Sequence, residues 1–270
     1  MERVEDLRFL RGRGMYVADV NREGQLHAVI LRSSVAHGLL RNINPEAALN
    51  LAGVEAVITA SDLGSQVPVI PLRLQPLPEL DPFRQPMLAD DKGRYVGEPI
   101  AVVVADTPAV AEDALEDIEL DIEPLPAITG KADAEAAKSV LFEKHGSNIS
   151  MEWNAVKGDA DFVFSTADYV RRETFRVQRH AALFMEPRGF VAEWEEAAGK
   201  LRVWGAAKVA FANRRILAEA LGLSEQNIEM VEVDVGGGFG SRGEFYPEDF
   251  LIPFAARFLN RPASTLAAGR

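Results

Sequence analysis

A glycine-rich stretch, VDVGGGFGSRGEF at residues 233–245, constrains the fold of this chain more than any other segment. Gly238, Gly240 and Gly243 match the G-x-G-x-x-G fingerprint, so a dinucleotide-binding fold is the first hypothesis. That fold needs an acidic residue about 20 positions beyond the loop and room for the rest of a parallel sheet. Only 27 of the 270 residues follow Gly243, and none after Asp249 is acidic. The spacing therefore argues against dinucleotide binding.

The number of glycines leaves two interpretations of the loop. A tight turn from a strand to a helix needs only one or two residues with positive φ. Gly236, Gly237, Gly238 and Gly240 surround Phe239 and exceed that need. Backbone without side chains suits close approach to a ligand, because its N–H groups are presented to oxygen or phosphate. Tight turn and ligand loop both stay open from the residues alone.

Composition excludes several classes of function. The formal net charge of −12 and the pI near 4.9 argue against nucleic acid and anionic membranes as partners, because both need a basic surface. The chain has no cysteine, which excludes disulfides, iron–sulfur clusters and cysteine zinc sites within it. Its four histidines show no metal-binding spacing, so we predict no metal ligand: His27, His37, His145 and His180.

The ends and the apolar runs predict a soluble, cytoplasmic protein. The first six residues are mostly charged and no apolar region follows them, so we expect no secretory signal. The longest aliphatic run, residues 100–105, is far shorter than the roughly 20 residues of a membrane-spanning helix.

Periodicity and punctuation predict a mixed α/β order of elements. We predict strands at residues 24–32, 54–59, 100–105, 117–123, 169–177, 189–194, 200–204 and 228–235. We predict helices at residues 45–49, after Thr107, at 211–221 and at 248–259, where Pro253 should bend the helix or mark a later start. Residues 68–86 are proline-rich and predict an extended loop. In MEPRG, residues 185–189, we expect a strand entry in which Glu186 and Arg188 pair locally.

Several strings together resemble one family. They are GRGMYVADV (residues 12–20), LHAVILRSSVAHG (26–38), RYVGEPIAVVVA (94–105), QRHAALFMEPRGFVAE (178–193) and the glycine-rich loop. In this order they resemble the molybdopterin-binding large subunit of the xanthine dehydrogenase, aldehyde oxidase and aerobic carbon monoxide dehydrogenase family. The resemblance implies an α+β (mixed α/β) fold. A hammerhead domain would span residues 1–126, a connecting segment 127–165, and the incomplete first part of a molybdopterin-binding domain 166–270.

The resemblance also implies a cofactor and its contacts. Family members bind a molybdenum–pterin cofactor, in bacteria usually as the cytosine dinucleotide, and the GGGFG loop lies against it. Carried over, Gly237, Gly238, Phe239 and Gly240 are cofactor-binding residues. Lys208 stands where many members have a glutamine near the cofactor, so it joins this set, with a surface lysine as the alternative. [2Fe–2S] clusters and FAD are expected on partner subunits, and the catalytic base, a glutamate, in a C-terminal part beyond this chain.

The implied function is that of the N-terminal part of a molybdenum hydroxylase catalytic subunit. Such enzymes hydroxylate aldehydes or N-heterocycles such as purines, or oxidise CO, with water as the oxygen source. Its partners would be the rest of the large subunit, an iron–sulfur subunit and an FAD-binding subunit. Residues 263–270 do not resemble the family's continuation, so we expect a truncated chain that is inactive alone. The alternative is a non-catalytic or vestigial hammerhead module with a subunit-interaction role only.

Overall fold

The structure, a computed structural model, describes residues 3–72, 77–178, 180–205 and 208–267. Its helices are α1 (Asp6–Leu10), α2 (Glu46–Leu49), α3 (Pro108–Glu116), α4 (Lys131–Ala136), α5 (Ala160–Thr166), α6 (Ala210–Leu221) and α7 (Pro247–Leu259). Its strands are β1 (Leu26–Arg32), β2 (Gly38–Asn44), β3 (Val54–Ile58), β4 (Lys92–Gly93), β5 (Pro99–Ala105), β6 (Glu119–Pro124), β7 (Arg188–Glu195), β8 (Lys200–Gly205), β9 (Ile228–Glu232) and β10 (Ala263–Ala267).

Two sheets organise these elements. The larger has seven strands in the order β3-β5-β1-β10-β7-β8-β9, and the smaller has three in the order β4-β2-β6. In the larger sheet the β1–β10 and β8–β9 pairs are parallel, and the other four are antiparallel. Strands from the first and the last parts of the chain therefore share one mixed sheet, which confirms the predicted mixed α/β class.

The core lies on both faces of the seven-stranded sheet. Every residue of β5 is buried, and successive side chains alternate between two apolar clusters. Val103 and Ala105 pack with α2 and α3 on one face. Val102 and Val104 belong to the larger cluster, which includes residues of α6 and α7. The continuous apolar run of β5 thus reflects a strand covered on both sides.

Capping residues set the boundaries of α3 and α6 where the sequence predicted them. The Thr107 side chain caps α3 by accepting a hydrogen bond from the Val110 backbone N–H at 3.2 Å. Gly222 ends α6 in the left-handed region, with φ of 63°. Helix α7 begins at Pro247 and continues through Pro253, so the later start considered from the sequence is wrong. Among the described residues, no helix is both long enough and apolar enough to span a membrane.

Two strand predictions fail, and strands β2, β4 and β10 were not predicted. Residues 169–177 take part in neither sheet, and every described residue from 151 to 178 is exposed. Strand β9 ends at Glu232, short of residue 235. Strand β10 was missed altogether, although it lies between β1 and β7 and pairs with both. The four residues 73–76 of the proline-rich stretch lie outside the described residues, and residues 78–83 form a short 3₁₀ helix.

Candidate functional site

A cavity of about 480 Å³ opens where the glycine-rich loop leaves β9. Its lining residues come from the loop, the end of β9 and the chain before α6: Lys208, Glu232, Val233, Val235, Gly238, Phe239, Gly240 and Arg242. A larger hollow of about 630 Å³ beside strands β7–β9 contains none of the predicted site residues. Four of the five predicted residues thus share one cavity, and the fifth, Gly237, adjoins them in the chain.

The loop turns sharply because three of its residues have positive φ. The φ angles are 104° at Gly237, 42° at Phe239 and 91° at Gly240. Phe239 is a bulky residue in a region that strains L side chains, and the residue is 74% exposed. Backbone strain of this kind concentrates at ligand-binding and catalytic sites. The loop therefore presents backbone, rather than a packed side chain, to the cavity.

Two glycines of the loop are explained by the packing of the chain itself. A Cβ on Gly236 would lie 2.6 Å from Cβ of Glu186, closer than real contacts allow. A Cβ on Gly243 would lie 3.2 Å from Cδ of Lys208, whose stem runs past it. Glycine at these positions makes room for the side chains that support the loop.

Gly238 is different. Its φ lies outside the left-handed region, so the backbone does not require glycine there. A Cβ built on it would meet no atom of the described residues within 4 Å. Among the described glycines, it alone combines these two properties. The fold of this chain therefore gives no reason for a glycine at a position that faces the cavity.

A buried ion pair between Glu186 and Arg242 supports the glycine-rich loop. The Gly236 N–H donates to Oε2 of Glu186 at 2.6 Å, and the same oxygen lies 3.0 Å from Nη2 of Arg242. That Arg242 nitrogen also donates to the Glu186 carbonyl oxygen. The guanidinium stacks on the Phe184 ring, 4.1 Å from its centroid. One carboxylate and one guanidinium thus tie both ends of the loop to the MEPRG segment.

The local pairing expected within MEPRG is wrong. Glu186 pairs with Arg242, while Arg188 pairs with Asp249 at the start of α7, with Nη2 and Oδ2 2.5 Å apart. Burial raises the pKa of Asp249 to about 6, and the neighbouring Arg188 opposes that rise. Glu186 lies before β7 and Arg188 is its first residue, and the two charged groups pair with different parts of the fold.

The cavity wall carries two cationic side chains, Lys208 and Arg242, and one carboxylate, Glu232. Lys208 is exposed, whereas Arg242 is only 3% exposed. Burial lowers the pKa of Arg242, and the charge of Glu186 partly offsets this. Nε and Nη1 of Arg242 are buried and form hydrogen bonds with none of the described residues. A buried donor without a partner costs about 1–3 kcal/mol, so a group that reached these atoms would be stabilised.

The chain leading into the loop is anchored at Asp234. Its Oδ1 accepts a hydrogen bond from Nη2 of Arg8 at 2.6 Å, and Oδ2 accepts one from the Met15 N–H at 2.7 Å. The hydrogen bond from Arg8 is the main reason that the pKa of Asp234 falls to about 2. The N-terminal residues therefore fix the approach to the glycines.

Protein side chains offer no ready metal centre in the described part of the chain. No group of three or more His, Cys, Asp or Glu residues there could hold an ion. His37 Nδ1 lies 2.9 Å from the Pro126 carbonyl oxygen, and the His145 ring packs 4.5 Å from that of Phe83. His27 Nδ1 lies 3.2 Å from Oγ of Ser264. His180 is exposed.

Sequence reasoning missed Glu186 and Arg242 as supports of the loop. Both lie in the strings that carry the family resemblance, at residues 178–193 and 233–245. The available signal was an arginine two residues beyond the last glycine of GGGFG, but its burial depends on Phe184 and Glu186, more than 50 residues earlier. Spacing in the sequence could not reveal that contact.

Comparison with known proteins identifies the two parts of the chain. Residues 11–126 match the family model of the aldehyde oxidase and xanthine dehydrogenase a/b hammerhead domain. Residues 141–268 match that of the molybdopterin cofactor-binding domain. The second match includes strand β10, so the expectation that residues from 263 onward depart from the family is wrong up to residue 268.

Comparison with individual proteins agrees with these family models. The chain is 34% identical over 260 residues to the nicotine 6-hydroxylase large subunit of Paenarthrobacter nicotinovorans, covering 96% of this chain and 32% of the relative. It is 38% identical over 264 residues to the 6-hydroxypseudooxynicotine dehydrogenase complex subunit gamma of the same organism, covering 96% and 33%. The crystal structure of quinoline 2-oxidoreductase from Pseudomonas putida 86 superposes with a TM-score of 0.83 at 32% identity, covering 99% of this chain and 34% of that one.

The tandem of hammerhead and cofactor-binding domains defines a molybdopterin-binding oxidoreductase subunit as the class of protein. Within that class, the chain belongs to the xanthine dehydrogenase, aldehyde oxidase and carbon monoxide dehydrogenase family of large subunits. It spans about a third of the length of these relatives.

Proposed function

We propose that this chain forms the molybdenum-cofactor-binding, N-terminal part of a molybdenum hydroxylase large subunit. Residues 1–126 would be the hammerhead, 127–165 the connection and 166–270 the first part of the cofactor domain. The complete enzyme would hydroxylate an aldehyde or N-heterocycle, or oxidise CO, with water as the oxygen source. Relatives named for nicotine and quinoline favour an N-heterocycle, in which a ring carbon next to nitrogen is electrophilic.

The observation that carries this proposal is the free space beside Gly238. The chain needs no glycine there, yet the residue faces a cavity lined by an exposed lysine and a buried arginine. A ligand that approaches the backbone closely explains the missing side chain. The family membership supports a molybdenum–pterin cofactor as that ligand, since residues 141–268 match a molybdopterin cofactor-binding domain.

The residues present fit such a group. Backbone N–H groups of residues 237–240 would donate to oxygen atoms of the cofactor, and Lys208, whose stem passes Gly243, would donate as well. The unpartnered edge of Arg242 adds positive charge next to the loop. When bound, the cofactor would supply two-electron redox chemistry that side chains cannot perform. This chain's own contribution is to bind and orient it, and no catalytic residue is assigned here.

The composition supports a heteromeric enzyme. Because the chain has no cysteine, it cannot hold the iron–sulfur clusters through which electrons would leave. The relative named as subunit gamma belongs to a multi-subunit complex. The proposed partners are therefore the rest of the large subunit, an iron–sulfur subunit and an FAD-binding subunit, acting in the cytoplasm with the cytosine dinucleotide form of the cofactor.

Metal and pterin analysis tests the proposal. We expect no stoichiometric molybdenum in the chain purified alone and about one molybdenum and one pterin per chain in the assembled enzyme. Lys208→Ala and Gly240→Val should each reduce loading, and the glycine change more, since φ of 91° strains any side chain. An assembled enzyme that lacks molybdenum would contradict the proposal and favour a subunit-interaction module without catalysis.

A further inference from the structure

The glycine-rich loop keeps four consecutive backbone N–H groups, at residues 237–240, without a hydrogen bond to any described residue. Gly238, Phe239 and Gly240, three of these residues, line the cavity. Glycine loses more conformational freedom on folding than any other residue, and four of the five residues 236–240 are glycine. Such a turn keeps one shape only if other groups hold it. The contacts that fix it therefore decide whether its donors are in place for a ligand.

Ser241 closes the turn from within the loop. Its N–H and its Oγ both donate to the Gly238 carbonyl oxygen, at 3.0 and 3.2 Å. The Gly243 N–H donates in the same way to the Gly240 carbonyl oxygen at 3.3 Å. Two carbonyl oxygens of the loop are thus paired inside the turn. With these acceptors occupied, the turn favours a ligand that accepts hydrogen bonds, such as one bearing oxygen atoms.

Tyr246 holds the turn from outside the loop. Its hydroxyl donates to the Ser241 carbonyl oxygen at 2.8 Å. Within the described part of the chain, no other side chain from outside residues 233–245 makes a hydrogen bond to residues 237–241. The Tyr246 N–H donates to Oδ2 of Asp249 at 3.0 Å, which joins its backbone to the first turn of α7. One hydroxyl therefore connects the start of a buried helix to the glycine-rich turn.

A buried arginine fixes the Tyr246 ring. The Arg188 guanidinium lies 4.1 Å from the ring centroid, and the Arg188 side chain is only 14% exposed. A cation–π contact gains strength when it is desolvated in this way. Nη2 of Arg188 donates to Oδ2 of Asp249 at 2.5 Å, and Nη1 lies 3.7 Å from Oε2 of Glu248. Because two carboxylates of α7 hold the cation, the ring has little freedom to turn away from Ser241.

The same charges connect to the hammerhead. Glu248 Oε1 accepts a hydrogen bond from Nη2 of Arg32 on β1, whose Nη1 donates to the Gly97 carbonyl oxygen at 3.1 Å. Arg32 and Gly97 belong to the part that matches the hammerhead, whereas Glu248 belongs to the part that matches the cofactor-binding domain. Buried ion pairs are weak evidence for stability, since apolar side chains often serve as well. What these pairs do fix is the position of Arg188 relative to both parts of the chain.

We propose that Tyr246 is a positioning residue for the cofactor site. Its hydroxyl holds the Ser241 carbonyl, and Arg188 holds its ring, so that the N–H groups of residues 237–240 stay directed at the cavity. It acts through the loop rather than on a reacting atom. The presence of a cofactor rests on the proposed function, whereas the order of the loop is a property of this chain.

Substitution by phenylalanine isolates the hydroxyl. Tyr246→Phe removes one oxygen atom and keeps the ring that packs on Arg188. Tyr169→Phe, the control, removes the same atom from a residue that is 76% exposed. Hydrogen exchange of the chain alone, resolved to single amides, should show Ser241 and Gly243 exchanging about fivefold faster in Tyr246→Phe, since one hydrogen bond no longer holds the turn. Exchange in Tyr169→Phe should equal that of the parent chain.

Two further measurements separate positioning from general stability. The Tm of Tyr246→Phe should lie within about 4 °C of the parent value, and the amides of residues 250–259 in α7 should exchange as in the parent chain. In the assembled enzyme, molybdenum should dissociate at least about threefold faster from Tyr246→Phe than from the parent, because a less ordered turn holds its ligand less well. Metal analysis after buffer exchange measures this rate without reference to activity.

The inference fails in any of three cases. Exchange at Ser241 and Gly243 could be unchanged, or the Tm could fall with faster exchange throughout α7, which would make Tyr246 a general stabilising residue. Faster loop exchange with unchanged molybdenum dissociation would also overturn it, because the turn would then not hold the cofactor. A parent enzyme that assembles without molybdenum refutes the proposed function instead, and the exchange result still decides whether Tyr246 holds the loop.

Discussion

Strand β10 and residues 169–178 differ in two respects, namely how strongly their sequences favour a strand and whether they are paired in a sheet. Ala263 is fully buried, and β10 sits between β1 and β7 in the seven-stranded sheet, although its sequence, ASTLA, gave no strand signal that we recognised. Residues 169–178 have the alternation and composition of a strand, yet they are exposed and unpaired. A strand forms where a neighbouring strand offers free backbone groups, and intrinsic β-propensity decides less than the presence of such a neighbour.

The largest effect should come from a charge placed in β10. Ala263→Asp puts a carboxylate in a position that is 0% exposed and should cost more than about 4 kcal/mol. Leu266→Asp, on the same strand but 55% exposed, is the control and should cost less than about 1 kcal/mol. Urea unfolding measures both. Equal losses would show that β10 is not the buried centre of the sheet.

Substitution of one core phenylalanine and one exposed phenylalanine extends the comparison of buried and exposed regions. Phe250 on α7 is 1% exposed in the main core, and Phe250→Ala should destabilise the chain by about 3–5 kcal/mol. Phe175→Ala removes the same atoms from a side chain that is 82% exposed, and should change the stability of the chain alone by less than about 0.5 kcal/mol. Thermal unfolding distinguishes them, and a loss at Phe175 comparable to that at Phe250 would mean that the exposed segment folds back onto the chain.

The same contrast explains what the sequence could predict. Strands β1, β3, β5, β7 and β8 were foreseen because each is an apolar or alternating run whose partners lie within the chain. The position of the glycine loop and four of its cavity residues followed from motif strings. The Glu186–Arg242 pair was not foreseen because it joins residues far apart in sequence. The strand predicted at residues 169–177 is wrong because this segment pairs with no strand of either sheet.

The pH dependence of stability tests the anchoring of the loop by Asp234, and its expected effect is smaller. The pKa of Asp234 falls from 3.8 to about 2 in the folded chain, so the folded state favours the charged form. Its contribution to stability is present above the unfolded pKa of 3.8 and is lost as the pH falls through about 2. Asp234→Asn should lack this contribution. Urea unfolding between about pH 3 and pH 6 should show the parent chain's advantage narrowing toward acid, and an advantage that grew toward acid would contradict the anchor.

The most direct test of the account is the molybdenum content of the assembled enzyme carrying Gly238→Val. A Cβ at this position meets none of the described residues within 4 Å, so the free energy of unfolding of the chain alone should change by less than about 1 kcal/mol. If a cofactor occupies that space, the assembled variant should lose at least about tenfold in molybdenum per chain, because the added methyl groups block its approach. Full molybdenum loading in the variant would contradict the account and remove the glycine-rich loop from the cofactor site.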